Sequence, residues 1–164
     1  MLKPLQQWFC DRCGEVIEKP EDGWVHWRTD GGLKIREIEI LHHLKASPRG
    51  GQLGCYPPRM EKDRALNTML GPRGLIVLLS YMDVGEYHDK EATELNRVGD
   101  VRNWVTVMRR LHLPYYEEAR KYFAEARRDG ELEGINEVAL FLPDTLEGLV
   151  RRYGGDDAPD DDDE

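Results

Sequence analysis

The residues with the most chemistry to offer are three cysteines and a pair of adjacent histidines. Cys10 and Cys13 stand in the turn Trp8-Phe9-Cys10-Asp11-Arg12-Cys13-Gly14. Two intervening residues let both sulfurs face one ion. Cys55 lies far downstream, with His42-His43 between. Zinc takes thiolate and imidazole ligands in a tetrahedron, and four protein ligands close it. No cysteine remains for the fourth place, so a histidine must fill it. His42 continues the alternation of Ile38 and Ile40 along a predicted strand, which makes it the favoured ligand. A strand end can twist, so His43 stays open as the alternative to His42. His26, mid-strand between Trp24 and Trp27, is a further candidate. A set of Cys10, Cys13, His42 and Cys55 leaves no position for substrate, so one structural Zn2+ is expected rather than a catalytic ion.

Competing chemistries fit less well. An odd number of cysteines argues against a disulfide framework. A thioredoxin-like pair needs a strand-to-helix setting, but Glu15-Val16-Ile17-Glu18 and a proline-containing loop follow this turn. A zinc deaminase needs His-x-Glu upstream of Pro-Cys-x-x-Cys. Here the cysteine pair comes first, no proline precedes it, and neither His26 nor His42 has Glu two residues on. No phosphate-binding loop, dinucleotide fingerprint or Gly-x-Ser-x-Gly elbow occurs. His88, among the carboxylates of Gly85-Glu86-Tyr87-His88-Asp89-Lys90-Glu91, is the best non-metal candidate for acid–base work, against the plainer reading of a solvated loop.

The elements that must position the ligands can be read from pattern. Gly14 suits a positive φ after the cysteine turn. Trp24 to Arg28 reads as a strand, Asp30-Gly31-Gly32 as a hairpin turn, and Leu33 to Leu41 as the returning strand. Trp24 and Trp27 should lie on opposite faces, leaving at least one open to a partner. From residue 59 the chain reads as mainly helical. Pro72 opens a helix whose run Leu75-Ile76-Val77-Leu78-Leu79 is apolar nearly all round and is expected at the centre of the core. Val101, Trp104, Val105, Met108 and Leu111 form an amphipathic stripe. Pro114 opens another helix, with Tyr115, Ala119, Tyr122 and Ala126 on one face and Gly130 beyond its end. Glu137 to Leu142 leans to a short strand. Asp144 and Glu147 form a capping-box pattern for a last helix through Tyr153. Arg109-Arg110 and Arg127-Arg128 suit helix C-termini.

The fold class expected is α+β: a small N-terminal zinc-ribbon-like β-hairpin module, 1–58, packed on a mainly helical region, 59–155. The tail, 156–164, holds seven acids and no base and is expected to be disordered. It accounts for most of the net charge of −9. The rest of the chain is close to neutral, so its charge does not favour nucleic acid, and a protein partner is preferred. No apolar run is long enough for a membrane span and the start lacks a signal-peptide core, so no membrane partner and a cytoplasmic location are expected.

The residues Trp8-Phe9-Cys10, Cys13-Gly14, Gly23-Trp24-Val25-His26-Trp27, Ile40-Leu41-His42-His43 and Gly54-Cys55-Tyr56 resemble those of small bacterial proteins with an N-terminal Cys-x-x-Cys…His…Cys zinc-ribbon-like module. Gly71-Pro72-Arg73-Gly74-Leu75-Ile76 and Leu113-Pro114-Tyr115-Tyr116-Glu117-Glu118-Ala119-Arg120 extend the likeness over most of the chain. The resemblance implies a bacterial, cytoplasmic, zinc-bound protein and carries no activity with it. With a closed ligand set and no catalytic constellation in the sequence, the leading expectation is a non-catalytic binding or adaptor protein. The alternatives are a nucleic-acid-binding zinc-ribbon protein, for which a stripe of Arg28, Lys34, Arg36 and Arg49 would speak, and an enzyme working at His88 or an open zinc position.

Overall fold

The computed structural model describes residues 1–50, 54–56, 62–83 and 97–155. His88 and the acidic tail lie outside them. Two short strands, β1 (Trp8–Phe9) and β2 (Val16–Ile17), flank the cysteine turn and pair antiparallel, Trp8 with Ile17 and Phe9 with Val16. A second sheet has the order β4-β3-β5, built from β3 (Gly23–Thr29), β4 (Ile35–His42) and β5 (Lys62–Ala65), with β3 antiparallel to both neighbours. The sheet thus takes its third strand from beyond residue 58.

The β3–β4 hairpin closes as its sequence predicts. Asp30 Oδ1 accepts hydrogen bonds from the backbone N–H of Gly32 and Lys34, each at 3.0 Å. Short acidic side chains at a turn mimic backbone acceptors in this way. The register slips between His26 and Arg28, and Glu37, facing the slip on β4, takes a left-handed φ of +49°. Such a bulge leaves a backbone donor without its ladder partner. Ile38 N–H is taken up by Asn103 Oδ1 at 2.9 Å, which ties the bulge to the helical part.

The helices are α1 (Gly71–Met82), α2 (Val101–His112), α3 (Tyr116–Ala119), α4 (Phe123–Arg128), α5 (Glu137–Leu140) and α6 (Pro143–Tyr153). The architecture is α+β. One core joins the sheets to α1 and α2 through Trp8, Ile17, Val25, Ile40, Leu78 and Trp104. A second core gathers Tyr116, Ala119, Ala126, Leu146, Leu149 and Val150 of the C-terminal helices.

Several helical expectations are corrected. Helix α1 is not central: it buries Gly74 and Leu78 and leaves Leu75, Ile76 and Leu79 exposed. An all-round apolar run does not reveal how many neighbours will cover it. The inward face of α2 is Trp104, Val107, Arg110 and Leu111, whereas Val101 is 55% exposed. The helix expected after Pro114 is broken into α3 and α4, with Tyr115 left-handed at φ +65° before α3. Glu137–Leu140 is a helical turn, not a strand, because Asn136 Oδ1 caps it by accepting from Val138 and Ala139 N–H at 3.0 and 2.8 Å. Helix α6 starts on Pro143 itself, with Leu142 at the N-cap, so no Asp144–Glu147 capping box forms and Glu147 instead pairs with Arg151 at 2.8 Å.

Candidate metal centre

The cysteine turn is built by its own backbone. Gly14 N–H donates to Cys10 O at 2.9 Å, Cys10 N–H donates to Glu15 O at 2.9 Å, and Gly14 has φ +81°. The β1–β2 pairing on either side clamps both ends of this loop. His42 ends β4 opposite Gly23. Cys55 arrives from the loop after a short helical turn at Leu44–Ala46, and Ser47 Oγ donates to its sulfur at 3.1 Å. Gly54 makes that approach possible: it has φ +51°, and a Cβ there would lie 2.8 Å from the Ser47 side chain.

Cys10, Cys13, His42 and Cys55 converge, with their ligand atoms all within 4.8 Å of one another, and could hold a metal ion. Cys13 Sγ lies 3.5 Å and Cys55 Sγ 3.9 Å from His42 Nδ1. A tetrahedral ion with bonds of about 2.3 Å to sulfur and about 2.0 Å to nitrogen separates sulfur from nitrogen by about 3.5 Å. The Cys13–His42 and Cys55–His42 separations therefore lie close to that edge length. The other ring nitrogen of His42, Nε2, lies 3.1 Å from Val16 O. A proton on Nε2 donated to that carbonyl leaves the Nδ1 lone pair facing the sulfurs, the outer-shell arrangement that orients metal-bound histidines. Burial, together with the neighbouring Cys10 and Cys55 thiols, pushes the Cys13 thiol up to about 12, against the Glu15 backbone N–H, which lowers it. A divalent ion bound here would supply the positive charge that favours the Cys13 thiolate.

His43 lies outside this group. Its Nδ1 accepts from Lys45 N–H at 3.2 Å, and its ring stacks on Trp24 with centroids 5.4 Å apart. His26 lies outside it too, on the same face of β3 as Trp24; burial pushes its pKa down to about 4, with Asp63 opposing. Trp27, on the other face, is buried and meets Tyr81 edge-on, so of the two tryptophans Trp24 is the more open. Three cations of the suggested nucleic-acid stripe face acids or backbone: Arg28 pairs with Glu37 at 2.7 Å, Arg36 with Asp30 at 3.0 Å, and Arg49 donates to Arg12 O.

A second set of residues supports the centre and escaped the sequence reading. Asp11, inside the cysteine turn, donates its N–H to Ile40 O at 2.9 Å and accepts from Ile40 N–H at 2.7 Å through Oδ2. The same Oδ2 accepts from Arg110 Nη1 at 2.6 Å. Arg110, 4% exposed, also grips Glu117 through Nε at 2.6 Å and Nη2 at 2.9 Å, and reaches Phe9 O at 3.0 Å. Arg120 closes the group on Glu117 at 3.0 Å. Burial works against the Arg110 charge, but the carboxylates of Glu117 and Asp11 outweigh it and raise its pKa. Expected as one of a basic pair suited to a helix C-terminus, Arg110 in fact fastens the cysteine turn to α2 and α3. The available signal was its place three residues after Val107, on the inward side of α2.

No protein-family model, no curated protein sequence and no solved structure gives a significant match to this chain.

Proposed function

We propose that this chain is a non-catalytic binding protein in which one structural zinc ion fixes a recognition surface on the β4-β3-β5 sheet. The observation that carries the reading is the convergence of three cysteines and one histidine, their ligand atoms all within 4.8 Å of one another, with a backbone carbonyl beside the other ring nitrogen of the histidine. Three sulfurs and one imidazole suit zinc above magnesium, calcium or manganese, which prefer oxygen. Cys10, Cys13, His42 and Cys55 would hold the ion, and all four places would then be filled by protein. The ion would supply charge neutralisation and cross-linking, joining the cysteine turn, the end of β4 and the Cys55 loop. Thiolate ligands of this kind suit a reducing compartment such as a bacterial cytoplasm.

A protein partner is favoured over nucleic acid, because Arg28 and Arg36 are matched by acids. The test is metal content of the native chain and of Cys10→Ser and Cys55→Ser. The expected result is about one zinc per wild-type chain and its loss in both variants. Full zinc retention by Cys55→Ser would overturn the long-range closure. Turnover that depends on zinc while all four ligands stay bound would overturn the non-catalytic reading.

A further inference from the structure

Beside the metal centre the sheet carries a cavity of about 100 Å³, with His42 on its wall. The rest of that wall is mostly rings. Trp24 stacks on His43 at 5.4 Å and lies 6.0 Å from His26, and His26 meets Tyr56 edge-on at 4.6 Å. Trp24 and His26 share a face of β3 by their spacing. His43 and Tyr56 directly follow the candidate ligands His42 and Cys55. Asp63, across from His26 on β5, adds a carboxylate at the exposed edge, and among the described residues no cation forms an ion pair with it. His26 is 1% exposed, and its Nδ1 has no hydrogen-bond partner among the described residues. The lowered pKa of His26 keeps the ring neutral near pH 7, so it does not repel a cation.

The size and lining select the ligand. Pockets for whole drug-sized molecules run to about 300–1,000 Å³, so a space of this volume suits a compact head group. Aromatic faces attract cations through their quadrupoles, most effectively cations whose hydration is weak. A bare metal ion would need several oxygen, nitrogen or sulfur donors, and among the described residues the group at Cys10, Cys13, His42 and Cys55 is the one that gathers them. We propose that the cavity binds a methylated ammonium group, held between the rings of Trp24, His26, His43 and Tyr56 and by the charge of Asp63. The proposal deepens the binding-protein reading and rests on it, since the metal ligands place two of the four rings.

The test titrates the zinc-loaded full chain with choline, with its neutral isostere 3,3-dimethylbutan-1-ol, and with a trimethyl-lysine peptide. Tryptophan fluorescence and the NMR shifts of the Trp24 and His26 rings are followed, and zinc content is measured on the same samples. Choline is expected to bind at least about tenfold more tightly than the neutral isostere, a difference of about 1.4 kcal/mol. Asp63→Asn, at an exposed position, should weaken choline about tenfold with zinc unchanged. A peptide tighter than choline assigns the ammonium to a protein side chain; a peptide no tighter assigns it to a free small molecule. Equal binding of the neutral isostere, or no ring shift with any ammonium probe, overturns the proposal. Zinc-loaded protein that ignores every ammonium defeats the cavity and leaves the metal reading intact, whereas choline binding by a chain that never holds zinc defeats the metal reading alone.

Discussion

Replacing Arg110 by methionine should be among the most damaging single changes in the described structure, although this residue touches none of the four metal ligands' donor atoms. Methionine keeps much of the aliphatic volume and removes the guanidinium from Glu117, Asp11 and the Phe9 carbonyl. Breaking a buried ion pair from one side costs about 3–5 kcal/mol, because the remaining charge is stranded away from water. Arg120 stays within 3.0 Å of Glu117, and Asp11 keeps its bond from Ile40 N–H, which places the loss near the lower end, about 3 kcal/mol. For a chain of this size each kcal/mol moves Tm by about 2–4 °C, so a fall of about 6–12 °C is expected. The assay is urea and thermal unfolding with zinc in excess, so that metal loss does not masquerade as loss of packing. Adding Glu117→Gln to Arg110→Met removes the stranded charge and should recover about 1–2 kcal/mol relative to the sum of the single changes. Because Asp11 sits in the cysteine turn, Arg110→Met should also speed zinc extraction by a chelator. A loss under about 1 kcal/mol, or strict additivity of the two changes, would show that the network is not the coupled unit inferred here.

Other outcomes follow from the same structure. His42→Ala should abolish stoichiometric zinc binding while His43→Ala keeps it, read by metal analysis, because His43 is engaged with Lys45 and Trp24. Gly74→Ala should destabilise by about 2 kcal/mol despite the better helix propensity of alanine, since its Cβ would lie 2.0 Å from the Met69 carbonyl carbon; a rise in Tm would refute this. The His26 pKa is lowered to about 4, so its neutral form is favoured by folding. That contribution is fully present above the unfolded value of about 6.5 and is lost as pH falls towards 4, by at most about 3 kcal/mol and less where water reaches the ring. His26→Gln should flatten this part of the stability–pH curve measured with zinc in excess, and an unchanged slope would count against it.

Two kinds of information separate in this chain. Local chemistry was legible from residue order. Cys-x-x-Cys-Gly announces a tight turn because two sulfurs separated by two intervening residues can meet only over such a loop, and Gly14 takes the positive φ this requires. The Asp30-Gly31-Gly32 turn, the β3 and β4 strands and the joining of Cys55 to the cysteine turn rest on side-chain alternation and ligand counting, which act over short distances or through one shared centre. The Asn136 cap is equally local, and it makes Glu137–Leu140 a helical turn where the apolar pattern of Glu137 to Leu142 leans to a strand.

Only the tertiary structure decided the rest. An apolar run such as Leu75–Leu79 states what a helix could bury, not what arrives to cover it, and Ile76 ends 68% exposed. Arginine reads as a surface residue until carboxylates from two other segments, Asp11 and Glu117, converge on it, 99 and 7 residues away in the chain. The same holds for His26, a candidate ligand by sequence, and Asp63, brought face to face by the pairing of β3 with β5. Sequence alone determines the ligand types and the turns that present them, because these depend on a few neighbouring torsions. Which charges are buried and which rings share a cavity depends on contacts between segments far apart in the chain, and those exist only once it has folded.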